Sequence, residues 1–349
     1  MSTRWRKRPE GSTWGDFGPD DQRGRLNLLT PEKLLEGIAE VRAGRSFCLS
    51  LPLDYPGGNG LNENRYPPVL RPTLRHGEVN LNFIQATRDP QAHDVLSDDL
   101  AILHLQYSSQ WDGLSHVGAL FDVNDDGNPI PVYYNGFRAH EDVIGPDSVD
   151  DCGISGTMQA RSTSQARALG IENMAETCVQ GRAVMVDLRH HLGDARTLVG
   201  HDTLMEVMAA DGVTVEPGDM LCLHTGFADR VLAMGKEPDP ALLHGICAVL
   251  DGGDAKLQEW ITNSGVAVIA ADNYAVENVP GTLPNASCSM LPLHNLCLFR
   301  LGVHLGELWH LTPLAGWLRE HGRFRFLLTA PPLRLPGAVG SPVTPVATV

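Results

Sequence analysis

The run Gln106-Tyr107-Ser108-Ser109-Gln110-Trp111-Asp112-Gly113-Leu114-Ser115-His116 brings together side chains that can hold a metal ion or move a proton. Asp112 and His116 stand on either side of a turn at Gly113. A carboxylate and an imidazole so placed can share a divalent ion, or the imidazole can take a proton from a water on that ion. The same spacing also serves an aspartate that merely orients a structural histidine. Gln106 and Gln110 offer neutral carbonyl oxygens, which suit hard cations such as Mn2+, Mg2+ or Ca2+ better than the nitrogen-rich sites that histidines build for Zn2+. Equally, both could serve only to hydrogen-bond backbone or substrate. Upstream, Ala101-Ile102-Leu103-His104-Leu105 reads as a strand. If that conformation persists to Asp112, then His104, Gln106, Ser108, Gln110 and Asp112 line one face, and Leu103, Leu105, Tyr107 and Trp111 the other. Such a polar row is costly to bury unless a cation, a water cluster or a substrate pairs with it.

His294 and Glu307 form a second candidate pair. Leu291 to Leu301 predicts a short helix with Leu291, Leu298 and Leu301 on an apolar stripe; Gly302 ends it, and Val303 to Leu308 continues as a strand. His190-His191 and His224 fall at strand ends, within reach of a pocket. Asp122-Val123-Asn124-Asp125-Asp126-Gly127 opens like a calcium loop, but its twelfth position is Tyr133 and no helix pair flanks it, so an acidic surface turn is expected.

These side chains need a scaffold. Three apolar runs end in polar residues: Ala183 to Asp187, Met220 to Thr225, and Val266 to Asp272. Runs of this kind suit strands covered on both faces of a mainly parallel or mixed α/β sheet, with ligands at their carboxyl ends. Helices are expected near residues 158–169, 202–211, 240–250 and 254–263, and another opening at Thr30-Pro31 with Thr30 as N-cap, stopped by Gly44. Residues 46–53 read as a strand. The stretch from Asp54 to about Pro90 has no clear period and reads as a long lid or binding loop; Tyr55, Asn62, Asn64 and Tyr66, with Trp14, could cover a substrate.

At 349 residues the chain can hold one large domain or two ordinary ones. No apolar run approaches the ~20 residues of a membrane helix. Arg4, Arg6, Lys7 and Arg8 precede no apolar stretch, so the N-terminus reads as a solvated tail rather than a secretory signal. A net charge of −15 argues against a nucleic-acid partner. Cys48, Cys152, Cys178, Cys222, Cys247, Cys288 and Cys297 are scattered and form no Cys-x-x-Cys pair, which fits reduced, buried thiols.

The motif resembles the signature of the metal-dependent cyclase/hydrolase family that includes bacterial-type kynurenine formamidases and isatin hydrolases, His-x-Gly-Thr-His-x-Asp-x-x-x-His. Gln106, Gln110, Asp112 and His116 occupy its four chemical positions, with glutamine for both upstream histidines and Ser108-Ser109 for Gly-Thr, as in a divergent branch with a Ser-x-Gln-Trp-Asp-Gly core. Trp14-Gly15, Asp21-Gln22, Leu26-Asn27-Leu28-Leu29-Thr30-Pro31 and Pro336 to Pro342 extend the resemblance over most of the chain.

The resemblance implies an α/β fold: a swivelling β/β/α domain with a mixed sheet or partial barrel and flanking helices. It implies a single domain over residues 1–349 with an N-terminal arm (1–30) and a long loop (about 54–90), and assembly as a homodimer or homotetramer. It further implies one divalent ion, Mn2+ or Zn2+, with Gln106, Gln110, Asp112, His294 and Glu307 as candidate ligands; the two glutamines should weaken zinc binding or change the metal. His224-Thr225-Gly226 matches in character a Thr-Gly at the family's pocket floor. The expected activity is a cytoplasmic hydrolase that opens a C–N bond (amide, cyclic amide) or a C–O bond (lactone, ester) of a small cyclic or aromatic metabolite. A metal-activated water would attack, and His116 would act as general base and then general acid. The alternative is a non-hydrolytic cyclase, dehydratase or isomerase that uses His116 and Asp112 alone. No nucleic-acid or membrane partner is expected.

Overall fold

Residue alternation in three apolar runs builds the centre of the molecule. In each strand one set of side chains enters one core and the intervening set enters another: Val184, Val186, Leu221, Leu223, Ile269 and Ala271 on one face, Ala183, Met185, Met220, Cys222, Val268 and Ala270 on the other. Both faces of the sheet are therefore dry, which is why these strands read as continuous apolar runs rather than alternating ones. The computed structural model describes residues 4–153, 162–279 and 289–349.

The main sheet has nine strands: β1 (Ser46–Cys48), β2 (Gln110–Asp112), β3 (Gln180–Asp187), β4 (Met220–His224), β5 (Val268–Ala271), β6 (His304–Glu307), β7 (Arg325–Thr329), β8 (Gly340–Pro342) and β9 (Val346–Thr348). Their order across the sheet is β1-β9-β7-β3-β4-β5-β6-β2-β8. The four central strands β3, β4, β5 and β6 run parallel, and antiparallel strands extend the sheet on both sides. The result is the expected mixed α/β architecture, a large curled sheet resembling half a barrel with flanking helices. Among these helices are α1 (Pro31–Ala39), α2 (His201–Asp211), α3 (Ala255–Ser264) and α4 (Thr312–Glu320). Thr30 caps α1 as expected, its hydroxyl accepting from Lys33 N with Pro31 in the first turn; the helix ends at Ala39, before Gly44.

Five local expectations are corrected. Of the helix expected at 158–169, residues 158–161 lie outside the described residues, and Gln165–Ala166 is instead a strand paired with Val143–Ile144. The stretch 240–250 divides into a short helix, Pro240–Leu243, and a strand, Ala248–Leu250. The strand expected over 101–105 stops at Ile102, and β2 begins only at Gln110, with turns and bends between. The basic N-terminus does not simply trail in solvent: Arg4 lies 3.9 Å over the Phe137 ring, and Trp5 meets Trp14 edge-on. Trp14 is fully buried and donates through Nε1 to Phe299 O at 2.7 Å, so it packs the core and covers no substrate.

The segment after β1 carries short ribbons: Val69–Pro72 with Asp99–Ile102, Leu74–Arg75 with Glu78–Val79, and Phe83–Ile84 with Val95–Leu96. The acidic turn at Asp122 closes on itself, its carboxylate accepting from Asp126 N and Gly127 N. No helix among the described residues is long and apolar enough to cross a membrane.

Candidate active site

Strand β2 lies between β6 and β8, with Gln110 opposite Glu307 and Asp112 opposite Leu305. Directly opposed residues point to the same face, so the ladder itself sets Gln110, Asp112 and Glu307 side by side. Trp111 points to the other face, where it meets Trp309 edge-on at 4.9 Å and donates to Ala330 O at 2.8 Å. Gly306 has to be small there: a Cβ would lie 2.9 Å from Ala270 Cβ and 3.1 Å from the Trp111 ring. The apolar half of the predicted two-faced strand thus anchors the polar half.

His294 arrives from a different element. Pro292–His294 forms a helical turn that runs into a π-helix, Asn295–Leu301, which Gly302 stops in the left-handed conformation (φ 64°). Wide turns of this type recur at functional sites. His294 Nε2 comes 3.3 Å from Glu307 Oε1 and 3.9 Å from Asp112 Oδ2. One ligand atom from each of Asp112, His294 and Glu307 lies within 4.8 Å of the others, and all three residues are buried. Burial works against charge on His294, yet the carboxylates of Glu277 and Glu307 outweigh it and push it up to about 10. Burial likewise opposes ionisation of Asp112, but His116, His294 and the Gln106 amide together hold its carboxyl below the usual range.

The two glutamines take different positions. Gln110 donates from Nε2 to Glu307 Oε2 at 3.1 Å, while its Oε1, like Asp112 Oδ2, is buried without a hydrogen-bond partner. Gln106 sits in the bend before β2, and its side chain packs over Gly340, where a Cβ would come within 2.8 Å of the amide carbon. Its Nε2 donates to Asp112 Oδ1 at 2.7 Å and lies 2.8 Å from His116 Nδ1. The Asp112 carboxylate accepts only, so it fixes which end of that amide faces the pair. His116 Nδ1 is then an acceptor, and the neutral ring carries its proton on Nε2, 3.7 Å from Asp112 Oδ1. The turn at Gly113 follows from close packing, since a Cβ there would lie 2.8 Å from Val339 O.

The remaining members of the expected polar row are elsewhere. His104 is bonded through Nδ1 to Tyr66 O at 3.1 Å, and Ser108 donates to Pro52 O. His224 belongs to a separate buried network: Nδ1 is 2.7 Å from Asp187 and Nε2 3.0 Å from Thr312, while Asp272 accepts from Thr225 and Gly226. His191 faces Asp211 at 3.0 Å.

Glu277 is a residue that sequence reasoning missed. It is buried, and its Oε1 accepts from His294 Nδ1 at 2.7 Å and from His294 N at 2.9 Å, while Oε2 accepts from Leu293 N at 2.9 Å. One carboxylate therefore fixes the backbone, tautomer and direction of His294. Glu277 stands alone in an irregular segment with no periodicity to flag it; its nearest signal is Gly252, where a Cβ would fall 2.1 Å from Glu277 Oε2.

An ion fits this donor set on its own terms. Asp112, Glu307 and His294 supply two carboxylates and an imidazole, and two buried acceptor oxygens beside them lack donors. A cation satisfies acceptors that no N–H reaches.

The family model named Cyclase, described as "Putative cyclase", matches residues 61–278. Among solved structures, one described as a novel cyclase is 29% identical over 97% of both chains, with a TM-score of 0.71. Isatin hydrolase A from Ralstonia solanacearum is 14% identical, with 87% of this chain and 91% of that one covered and a TM-score of 0.53. Isatin hydrolase A from Labrenzia aggregata, solved with benzyl benzoate, is 11% identical, with 90% and 97% covered and a TM-score of 0.53. No curated protein matches the chain.

Proposed function

Since this chain belongs to the cyclase family, whose model matches more than half of it, we propose that it is a metal-dependent hydrolase acting on a carbonyl-centred C–N or C–O bond of a small molecule. The observation that carries this reading is the convergence of Asp112, His294 and Glu307 around buried oxygens with no donor. Asp112, His294 and Glu307 would hold the ion; Gln110 would add its Oε1 only with the amide turned over, since its Nε2 faces Glu307 and Asp112. Mn2+ suits this oxygen-rich set better than Zn2+ does. When bound, such an ion polarises a carbonyl and lowers the pKa of water.

The chain's own residues do the rest. Glu277 keeps His294 aimed at the site through Nδ1, leaving Nε2 for the ion. Gln106 is a positioning residue rather than a ligand, because both of its amide hydrogens are directed to Asp112 and His116. That contact bears on the role expected from sequence. With Nδ1 accepting from Gln106, the neutral His116 ring presents Nε2–H to the substrate and hydrogen-bonds the leaving nitrogen or oxygen as negative charge builds there; the proton that atom finally gains comes from the water consumed, and the net result is addition of water across the bond. The isatin hydrolases of similar fold bear those names, and cyclic amides head the list of substrates to try.

The metal-free alternative has one observation in its favour: the glutamine amides already donate to Asp112 and Glu307. Elemental mass spectrometry separates the readings. The proposal expects about one Mn or Zn per chain, lost in Asp112→Ala, and hydrolysis of members of an amide, lactone and cyclic imide panel that chelator abolishes. A native protein that takes up neither ion overturns it in favour of acid–base chemistry by His116 and Asp112.

A further inference from the structure

Arg65 stands at the rim of the site, in the segment that precedes the ribbons. One guanidinium nitrogen, Nη1, donates to Gln106 O at 2.6 Å, which binds it to the residue holding both Asp112 and His116. A guanidinium carries five N–H donors in a planar fork, and this is the one hydrogen bond that the Arg65 guanidinium makes among the described residues. No carboxylate there pairs with it, whereas Arg182, Arg189, Arg319 and Arg323 each meet an Asp or Glu.

The surroundings define a small pocket. Arg65 shares it with Leu61, Asn62, Tyr107, Tyr274 and Leu308. The Asn62 amide lies 3.4 Å from the Tyr274 hydroxyl. Leu308 N donates to Asn273 O at 3.0 Å, which ties the segment carrying Tyr274 to the end of the strand that carries Glu307. Leu308 follows Glu307 directly. The pocket and the candidate ion site are thus neighbours, one offering apolar and aromatic walls with a cationic fork, the other carboxylates.

We infer that Arg65, with the Tyr274 hydroxyl and the Asn62 amide, is the anchor for a carboxylate on the substrate, so that the enzyme acts on small, flat carbonyl compounds that carry an acid group. This deepens the proposed function and rests on it for the identity of the ligand as substrate. In a chain of net charge −15, capture of an anion needs a local cation held out for it. The planar fork that fits a carboxylate at two points supplies that cation.

The test is binding of benzoate against benzamide, measured by calorimetry on the full chain after chelator treatment, so that no ion contributes to carboxylate binding. Benzoate should bind about tenfold or more tighter than benzamide, the size of one charge-assisted contact. Arg65→Gln should remove that preference, Arg65→Lys should keep part of it, and Tyr274→Phe should weaken benzoate a few-fold. Circular dichroism and melting curves establish that each variant is folded. Equal binding of the two probes by the native protein, or a preference that survives in folded Arg65→Gln, overturns the inference. If the preference follows Arg65 but no hydrolysis is found, the proposed reaction fails and the carboxylate site stands.

Discussion

Glu277→Gln isolates the contribution of one buried oxygen. The native carboxylate accepts from three donors, His294 Nδ1, His294 N and Leu293 N, at 2.7 to 2.9 Å. Glutamine keeps a single acceptor oxygen. Turned toward His294, it leaves its NH2 facing Leu293 N–H; turned the other way, it strands two donors. The better arrangement leaves one buried N–H unmet, at about 1–3 kcal/mol, and removes the charge that strengthens the contact to His294, at about 1 kcal/mol. The sum is about 2–4 kcal/mol. With an unfolding entropy of about 2.1 cal/mol/K per residue, a chain of 349 residues loses roughly 1.4 °C per kcal/mol, so Tm should fall by about 3–6 °C. Loss of the carboxylate behind a metal-binding histidine should also weaken ion affinity by about 10–100-fold. Differential scanning calorimetry reads the first quantity and titration with Co2+, followed by its visible absorption, reads the second. A variant that melts within 1 °C of the native protein and binds Co2+ equally well refutes the reasoning.

Gly252→Ala should reproduce much of this behaviour, because its Cβ would occupy space 2.1 Å from Glu277 Oε2; in the double variant with Glu277→Gln the losses in Tm should sum to clearly less than the two single losses added. His116→Ala should lose nearly all turnover on any substrate found, with ion content and melting unchanged; retained turnover in a kinetic assay would remove His116 from the reaction. For Asp187, burial favours the neutral form, but His224 and Arg319 outweigh it and hold the carboxyl below its ordinary value of 3.8, so its stabilisation is present above that pH and lost as pH falls. His224 is raised above 6.5 by Asp187 and Asp272 despite burial, so its part is present below that pH and lost as pH rises through the folded value. The gap in urea midpoint between native protein and Asp187→Asn should therefore be widest between about pH 4 and 6.5 and narrow on both sides; a gap that does not vary with pH contradicts this.

The sheet was legible because its strands carry the pattern that two dry faces require: the runs ending at Asp187, Thr225 and Asp272 correspond to β3, β4 and β5. Asp112 and Gln110 were legible as candidates from spacing and side-chain chemistry, and His294 and Glu307 from the family resemblance. What the sequence concealed was geometry set by long-range contacts. Extended backbone was expected to run from residue 101 to 112, yet Gln106 lies in a bend whose shape is fixed by Gly340 on another strand. Its amide therefore serves His116 rather than aligning with Gln110. Helix was read into 240–250 from composition, where Ala248–Leu250 pairs with the distant Thr197–Val199. Glu277 and Arg65 were invisible because each acts through one contact with no local period.

The pairing of β2 with β6 has an evolutionary consequence. Gln110 and Glu307 share one rung of a ladder and Asp112 stands two rungs along it, so their backbones are held in place more firmly than those of loop residues. A one-residue slip of β2 would send Gln110 and Asp112 to the Trp111 side and leave Glu307 behind, an all-or-none failure. Such a site can vary in what it binds only by exchanging side chains in place, altering reach and donor type at fixed stations. Glutamine at positions 106 and 110 is that kind of exchange, and relatives that differ there should present a different donor set over an unchanged strand register.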